Sequence, residues 1–133
     1  MEGGTTSAIF GLGAVGLAVI QACKDRKSSR IFAVDIDPSK FDMARSLGAT
    51  DCINPMELPE GFSDVQSYIV HLTKWGVDYS FDATGNVKVM RSALECSHRG
   101  WGQSCVIGKY VCVWCSYVYI FWMLYILFVL SAQ

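Results

Sequence analysis

Six residues near the start of the chain, Gly11-Leu12-Gly13-Ala14-Val15-Gly16, spell G-x-G-x-x-G, and an acidic residue, Asp35, follows 19 positions after the last glycine. These residue types at this spacing suit the binding of a nucleotide, with its diphosphate held on backbone amides while a carboxylate takes the hydroxyls of the attached sugar. Gly11 permits a sharp turn. A side chain at Gly13 would collide with an approaching pyrophosphate, and one at Gly16 would hold the following helix off its sheet. The free N–H groups where that helix opens face the diphosphate, aided by about half a positive charge from the helix dipole. Asp35 can accept from both hydroxyls of an adenosine ribose and would repel a 2′-phosphate, so NAD is expected rather than NADP. Asp37 adds to the repulsion, and Lys40 could reach the ribose or the phosphate edge. Two blander readings compete: a glycine-rich turn that binds no nucleotide, and a methyltransferase-type turn. The third glycine favours the dinucleotide over the latter, whose ligand lacks a pyrophosphate.

The elements that must carry this turn follow from local pattern. Residues 7–10 form a short apolar run stopped by Gly11, and residues 31–34 form a second that ends at Asp35; both read as buried strands. Between them, residues 15–23 place Val15, Ala18, Val19, Ala22 and Cys23 at helical spacing. Asp37-Pro38 reads as a helix start, with Phe41, Ala44 and Leu47 on one side and Gly48 as its terminator. A brief strand at 51–53, a helix at 63–73, a strand at 77–83, a helix at 87–96 capped by Asn86, and a strand at 103–107 complete the order. Strands alternating with helices require parallel pairing and right-handed crossovers. The expected fold is therefore α/β: a Rossmann-type doubly wound parallel sheet of about five strands, followed by an apolar C-terminal tail.

In a parallel sheet, ligands gather at the carboxyl ends of the strands. Thr84 and Gly85, after the fourth strand, and Ile107 and Gly108, after the fifth, are thus added as cofactor-binding candidates. His71 and His98 read as surface histidines. No Tyr-x-x-x-Lys pair is present, because Tyr68 is followed four on by Leu72 and Tyr79 by Ala83; this removes the short-chain dehydrogenases. Cys23, Cys52, Cys96 and Cys105 lack the close pairing of a structural zinc site and read as small hydrophobes in a reduced setting. Cys112 and Cys115 form a C-x-x-C with no cationic neighbour to stabilise a thiolate.

The chain has 133 residues, with 11 Lys+Arg against 12 Asp+Glu. That balance provides no basic excess for nucleic acid. The N-terminus has no basic segment leading into an apolar run, so no signal peptide is expected and a cytoplasmic setting fits. All the charges lie in residues 1–109, whereas 20 of the 21 residues from 110 to 130 are apolar. The chain thus divides into a domain at 1–108 and an uncharged tail at 109–133. Residues 110–132 are long enough to span a bilayer as a helix, which would anchor the chain to a membrane. They also fit a non-native ending or a surrogate element covering the fifth strand, and in both of those cases their β-prone, uncharged character is an aggregation hazard.

Several runs carry a family resemblance. The glycine turn with its flanks at 10–19, Val34-Asp35-Ile36-Asp37, Gly48-Ala49-Thr50-Asp51-Cys52-Ile53-Asn54-Pro55 and Gly76-Val77-Asp78-Tyr79-Ser80-Phe81 resemble medium-chain, zinc-dependent alcohol dehydrogenases. Gly85-Asn86-Val87-Lys88-Val89-Met90-Arg91-Ser92-Ala93-Leu94-Glu95 and His98-Arg99-Gly100-Trp101-Gly102-Gln103-Ser104 narrow this to the class III branch, the S-(hydroxymethyl)glutathione dehydrogenases. The resemblance implies an NAD-dependent oxidoreductase acting on the formaldehyde–glutathione adduct or on primary alcohols. It places the cofactor contacts at the glycine turn, Asp35, Lys40, Ile107 and Gly108. It also implies zinc in the whole family protein, held by ligands that would precede Met1, so no catalytic or metal-binding residue is assigned here. The family's sixth strand, which pairs subunits, is replaced after Gly108. The resemblance therefore describes a coenzyme-domain fragment without appreciable turnover of its own. The alternative is a non-catalytic dinucleotide-binding module tethered to a membrane by its tail.

Overall fold

The computed structural model describes residues 2–108. The strands are β1 (Thr6–Phe10), β2 (Arg30–Val34), β3 (Asp51–Ile53), β4 (Tyr79–Asp82) and β5 (Gln103–Val106), and they alternate with helices α1 (Ala14–Asp25), α2 (Phe41–Leu47), α3 (Val65–Thr73) and α4 (Val87–Glu95). The strands pair in the order β3-β2-β1-β4-β5, all parallel. Because successive side chains of a strand point to opposite faces, Ala8, Phe10, Phe32 and Val34 pack against α3 and α4. Ile9, Ile31 and Ala33 pack with Ile20 and Cys23 of α1 and with Phe41 and Ala44 of α2. Both faces are covered, so β1 and β2 read as continuous apolar runs. Phe10 and Phe32 are almost wholly buried, each contributing about 1.5–3 kcal/mol by that burial.

The register brings the functional ends together. Phe10 lies beside Val34 on one side and beside Asp82 on the other. The loops after β1 and β2 run to one face and the loop after β4 to the other, leaving a crevice where the winding reverses.

Local chemistry sets the helix boundaries, in places away from the sequence expectation. Asp37 caps its helix as expected, accepting from the Ser39 amide, but Pro38–Lys40 form a tighter 3-10 turn before α2 begins. Gly48 ends α2 at φ +122°, a backbone angle that a side chain disfavours. The third helix starts at Val65 rather than residue 63, because the Asp64 carboxylate caps it through the Ser67 amide at 2.8 Å. β4 is shorter than the expected 77–83. Val77 makes only an isolated bridge to Ser97, and the Asp78 carboxylate is taken by the amide and hydroxyl of Thr6.

Of the residues read at helical spacing in α1, Cys23 is buried and Val19 packs against the core, but the others do not form its inner face. Gly16, Ile20 and Cys23 face inward, while Val15 is half exposed and Ala18 and Ala22 are exposed. The cause is steric: a Cβ at Gly16 would overlap the carbonyl oxygen of Gly11, so Gly16 is the residue that can face the sheet, and it fixes the helix rotation. The reading of all four cysteines as small hydrophobes also needs correction. Cys23 and Cys96 are buried, Cys52 is half-buried, and Cys105 is exposed, because side chains of β5 are mostly uncovered among the described residues. Burial pushes the Cys96 thiol up to about 12. The C-x-x-C and the tail at 110–132 lie outside the described residues. Among those described, no helix is long and apolar enough to cross a membrane.

Candidate functional site

A cleft of about 550 Å³ opens at the carboxyl ends of β1, β2 and β4. Gly11 turns the chain out of β1 at φ +89°, and its amide donates to the Val34 carbonyl. A Cβ there would also come within 2.8 Å of the Thr84 methyl, so glycine is required twice over. Gly13 then opens α1 with no side-chain capping bond, which leaves the first amides of that helix for an external acceptor. A Cβ at Gly13 would meet nothing within 4 Å. The chain itself thus gives no steric reason for a glycine at this position.

Asp35, at the end of β2, braces the turn. Its Oδ2 accepts from the Leu12 amide at 2.7 Å and its Oδ1 from the Asp37 amide at 2.9 Å. The Lys40 ammonium lies 3.1 Å from Oδ2 and 3.3 Å from Oδ1. Burial acts to raise the pKa of this carboxyl, but the two amides and Lys40 outweigh it and hold it below the ordinary value. Lys40 therefore faces the carboxylate, and any further donor arriving at Asp35 would have to share or replace it. Across the cleft, the buried Asp82 carboxylate accepts from both the amide and the hydroxyl of Thr84, and the Thr84 hydroxyl accepts from the Asn86 amide. This relay swings the chain from β4 into the Asn86 cap of α4.

Of the residues expected from sequence, the cleft gathers Gly11, Leu12, Gly13, Asp35, Lys40 and Thr84. Ala14, Val15, Gly16, Gly85, Ile107 and Gly108 are not among its lining. Gly16 acts through packing, Val15 points outward, and Gly108 approaches Gly85 beyond β5, where a Cβ on it would stand 4.0 Å away. Sequence reasoning missed Ile36, Pro55, Asn86, Lys88, Val89 and Ser92 as lining residues. One signal was available: Lys88 and Ser92 are four apart and so share a face of α4.

His71 is exposed against Phe62. His98 is half-buried and stacks on Trp101 at 3.7 Å, on a second cavity of about 670 Å³ that contains none of the expected site residues. Among the described residues, no three His, Cys, Asp or Glu side chains converge to hold a metal ion. These residues do not fit zinc.

A family model described as zinc-binding dehydrogenase matches residues 14–114. The chain belongs to the zinc-binding dehydrogenase family. Its fold is that of the family's NAD-binding domain, and the match continues past Gly108 into the segment set apart by composition. Among curated relatives, S-(hydroxymethyl)glutathione dehydrogenase of Synechocystis sp. is 54% identical over 108 residues, which is 81% of this chain and 28% of that protein. The protein of the same name from Photobacterium damsela subsp. piscicida is 55% identical with the same coverage. The chain thus spans about 28% of the length of these relatives. Among solved structures, 2R,3R-butanediol dehydrogenase from Bacillus subtilis superposes with a TM-score of 0.76 at 30% identity, covering 84% of this chain and 30% of that one. An alcohol dehydrogenase zinc-binding domain protein from Burkholderia ambifaria gives 0.73 at 35% identity, covering 82% and 28%.

Proposed function

We propose that this chain is the coenzyme-holding part of an NAD-dependent alcohol dehydrogenase that oxidises the formaldehyde–glutathione adduct or primary alcohols. The hydrogen bond from the Leu12 amide to Asp35 carries the reading, because it ties the phosphate turn to the sugar-binding carboxylate in one rigid unit. On this reading Gly11, Leu12 and Gly13, with Ala14, Val15 and Gly16 at the head of α1, present amides to the pyrophosphate. Asp35 and Lys40 take the adenosine ribose, and Thr84 and Gly85 bring the chain after β4 close to the cofactor. Ile107 and Gly108 continue the same wall from β5. When bound, NAD supplies a hydride acceptor. This chain's residues position the adenosine half of it, and no step is assigned to zinc. The setting proposed is cytoplasmic, and the 133 residues by themselves are proposed to lack appreciable turnover.

Calorimetry on the full chain tests the binding. NAD and ADP-ribose are expected to bind, with NADP much weaker because Asp35 would face its 2′-phosphate. Asp35→Ser should weaken NAD by about 10–100-fold, the range for losing a hydrogen bond to a charged group, and narrow the gap to NADP. A folded chain with no affinity for NAD or ADP-ribose would overturn the proposal, and an unchanged NAD preference in Asp35→Ser would remove the role given to that residue.

A further inference from the structure

The second cavity, of about 670 Å³, opens at the amino ends of the strands, on the edge of the sheet opposite the cleft at their carboxyl ends. Its size is that of a small-molecule site. Thr6 opens β1 and Arg30 opens β2 on its lining, while Asp78 and Trp101 come just before β4 and β5. Trp101 is 69% exposed and yet held in place. Its indole N–H donates to Asp78 Oδ1 at 3.2 Å, and one of its faces stacks on the His98 ring. His98 is fixed in turn, with its Nδ1 accepting from the Gly100 amide at 3.0 Å. Trp75, 74% exposed, stands between Lys74 and Gly76, both at positive φ, and lines the same cavity.

The charge offered to a ligand here is negative. Arg30 lines the cavity, but its Nε and Nη2 donate to Asp51 and its Nη1 to the Leu72 carbonyl. No Lys or Arg pairs with Asp78 among the described residues. Burial acts to raise the pKa of Asp78, and the Thr6 and Trp101 donors outweigh it and keep the group a carboxylate. An anion would meet that carboxylate and no free guanidinium. The acceptors are largely spent as well. Asp78 Oδ2 takes the amide and hydroxyl of Thr6, the Thr6 hydroxyl oxygen takes the Asp78 amide, and the Thr73 hydroxyl oxygen takes the Gly76 amide. A primary ammonium brings three donors and would leave most of them unmet. A quaternary ammonium brings none, and aromatic faces beside a carboxylate satisfy its charge.

We propose that this cavity binds the trimethylammonium group of a small molecule, against the rings of Trp75 and Trp101 and beside the Asp78 carboxylate. The site is separate from the nucleotide cleft and does not depend on its reading.

Choline is the probe, with its uncharged carbon isostere, dimethylbutanol, as the comparison. The full chain is titrated with each and followed through the indole N–H resonances, assigned with Trp75→Leu and Trp101→Leu. Choline should shift both resonances saturably and bind at least about fivefold tighter than the alcohol, the scale of cation–π attraction to two rings. Each leucine variant should weaken choline by about 2–5-fold, the scale of one such contact at an exposed site, while leaving the alcohol nearly unchanged. Asp78→Asn should weaken choline in the same direction. Trp75 is the most exposed member of the site, so Trp75→Leu keeps the test free of folding defects. Equal affinity for choline and the alcohol overturns the proposal, as does an absence of shifts at these two indoles. Choline affinity unchanged in Trp75→Leu, or displacement of choline by NAD, also overturns it.

Discussion

Asp35 is held by the Leu12 and Asp37 amides and by Lys40, and other carboxylates bind parts of the domain together in a similar way. Asp78 joins β1 to the loop before β5, accepting from Thr6 and from the Trp101 indole. Asp51 joins β3 to β2 through a two-bond pair with Arg30. All three carboxyls are held below their ordinary value: Arg30 does most of this at Asp51, whereas at Asp35 and Asp78 the donors outweigh an opposing effect of burial. A carboxyl whose folded pKa is depressed contributes stability above its unfolded value, about 3.9 for Asp. That contribution is lost as the pH falls through the folded value. The urea midpoint should therefore drop between pH 7 and pH 3, and Asp78→Asn should shrink the drop because its amide does not titrate. Equal midpoints at the two pH values would contradict this account. The carboxylate at Asp35 was legible from its spacing to the glycine turn; its Lys40 partner was not, since a lysine five residues on in a surface turn has many places to point.

The helices show where periodicity alone is insufficient. α1 carries apolar residues around much of its circumference, including Val15, Leu17, Ala18, Val19, Ile20 and Ala22, so more than one stripe fits a helical repeat. The rotation is decided by Gly16, a residue that hydrophobic counting ignores. Two alanine substitutions separate packing from ligand contact. Gly16→Ala drives a methyl into the Gly11 carbonyl, and overpacking of this kind typically costs about 1–3 kcal/mol, read as a lower thermal midpoint. Gly13→Ala meets no atom of the chain. It should leave the midpoint within about 0.5 kcal/mol of the parent, the ordinary range for surface changes, while removing NAD binding measured by calorimetry. The capped starts of the 3-10 turn before α2 and of α4 were legible because Asp37 and Asn86 are strong cap formers followed by compatible residues. α3 began late because Asp64 outcompeted the serine before it.

At the scale of the molecule, parallel pairing followed from the alternation of strands and helices, and the reversal of winding beside β1 placed the cleft. The cleft's far wall was not legible. Val65, Lys88, Val89 and Ser92 come from helices 54 or more residues downstream of Gly11 in the chain, and only the crossovers bring them opposite Asp35. The sheet order also sets which backbone amides exchange hydrogen with solvent last. β1 lies between β2 and β4, with Ala8 and Ile9 completely buried, so its amides should exchange only when the whole domain opens. β3 has three residues and a half-buried pattern, so local fraying should govern its exchange. A ligand that favours the folded form slows global opening by a factor set by its concentration over Kd, about 100-fold at 100 times Kd. Deuterium uptake followed by mass spectrometry should then show NAD slowing β1 by that factor and leaving β3 nearly unchanged; equal slowing of both would mean the domain has no such division. The glycine turn would thus hang from the strand that is slowest to let go.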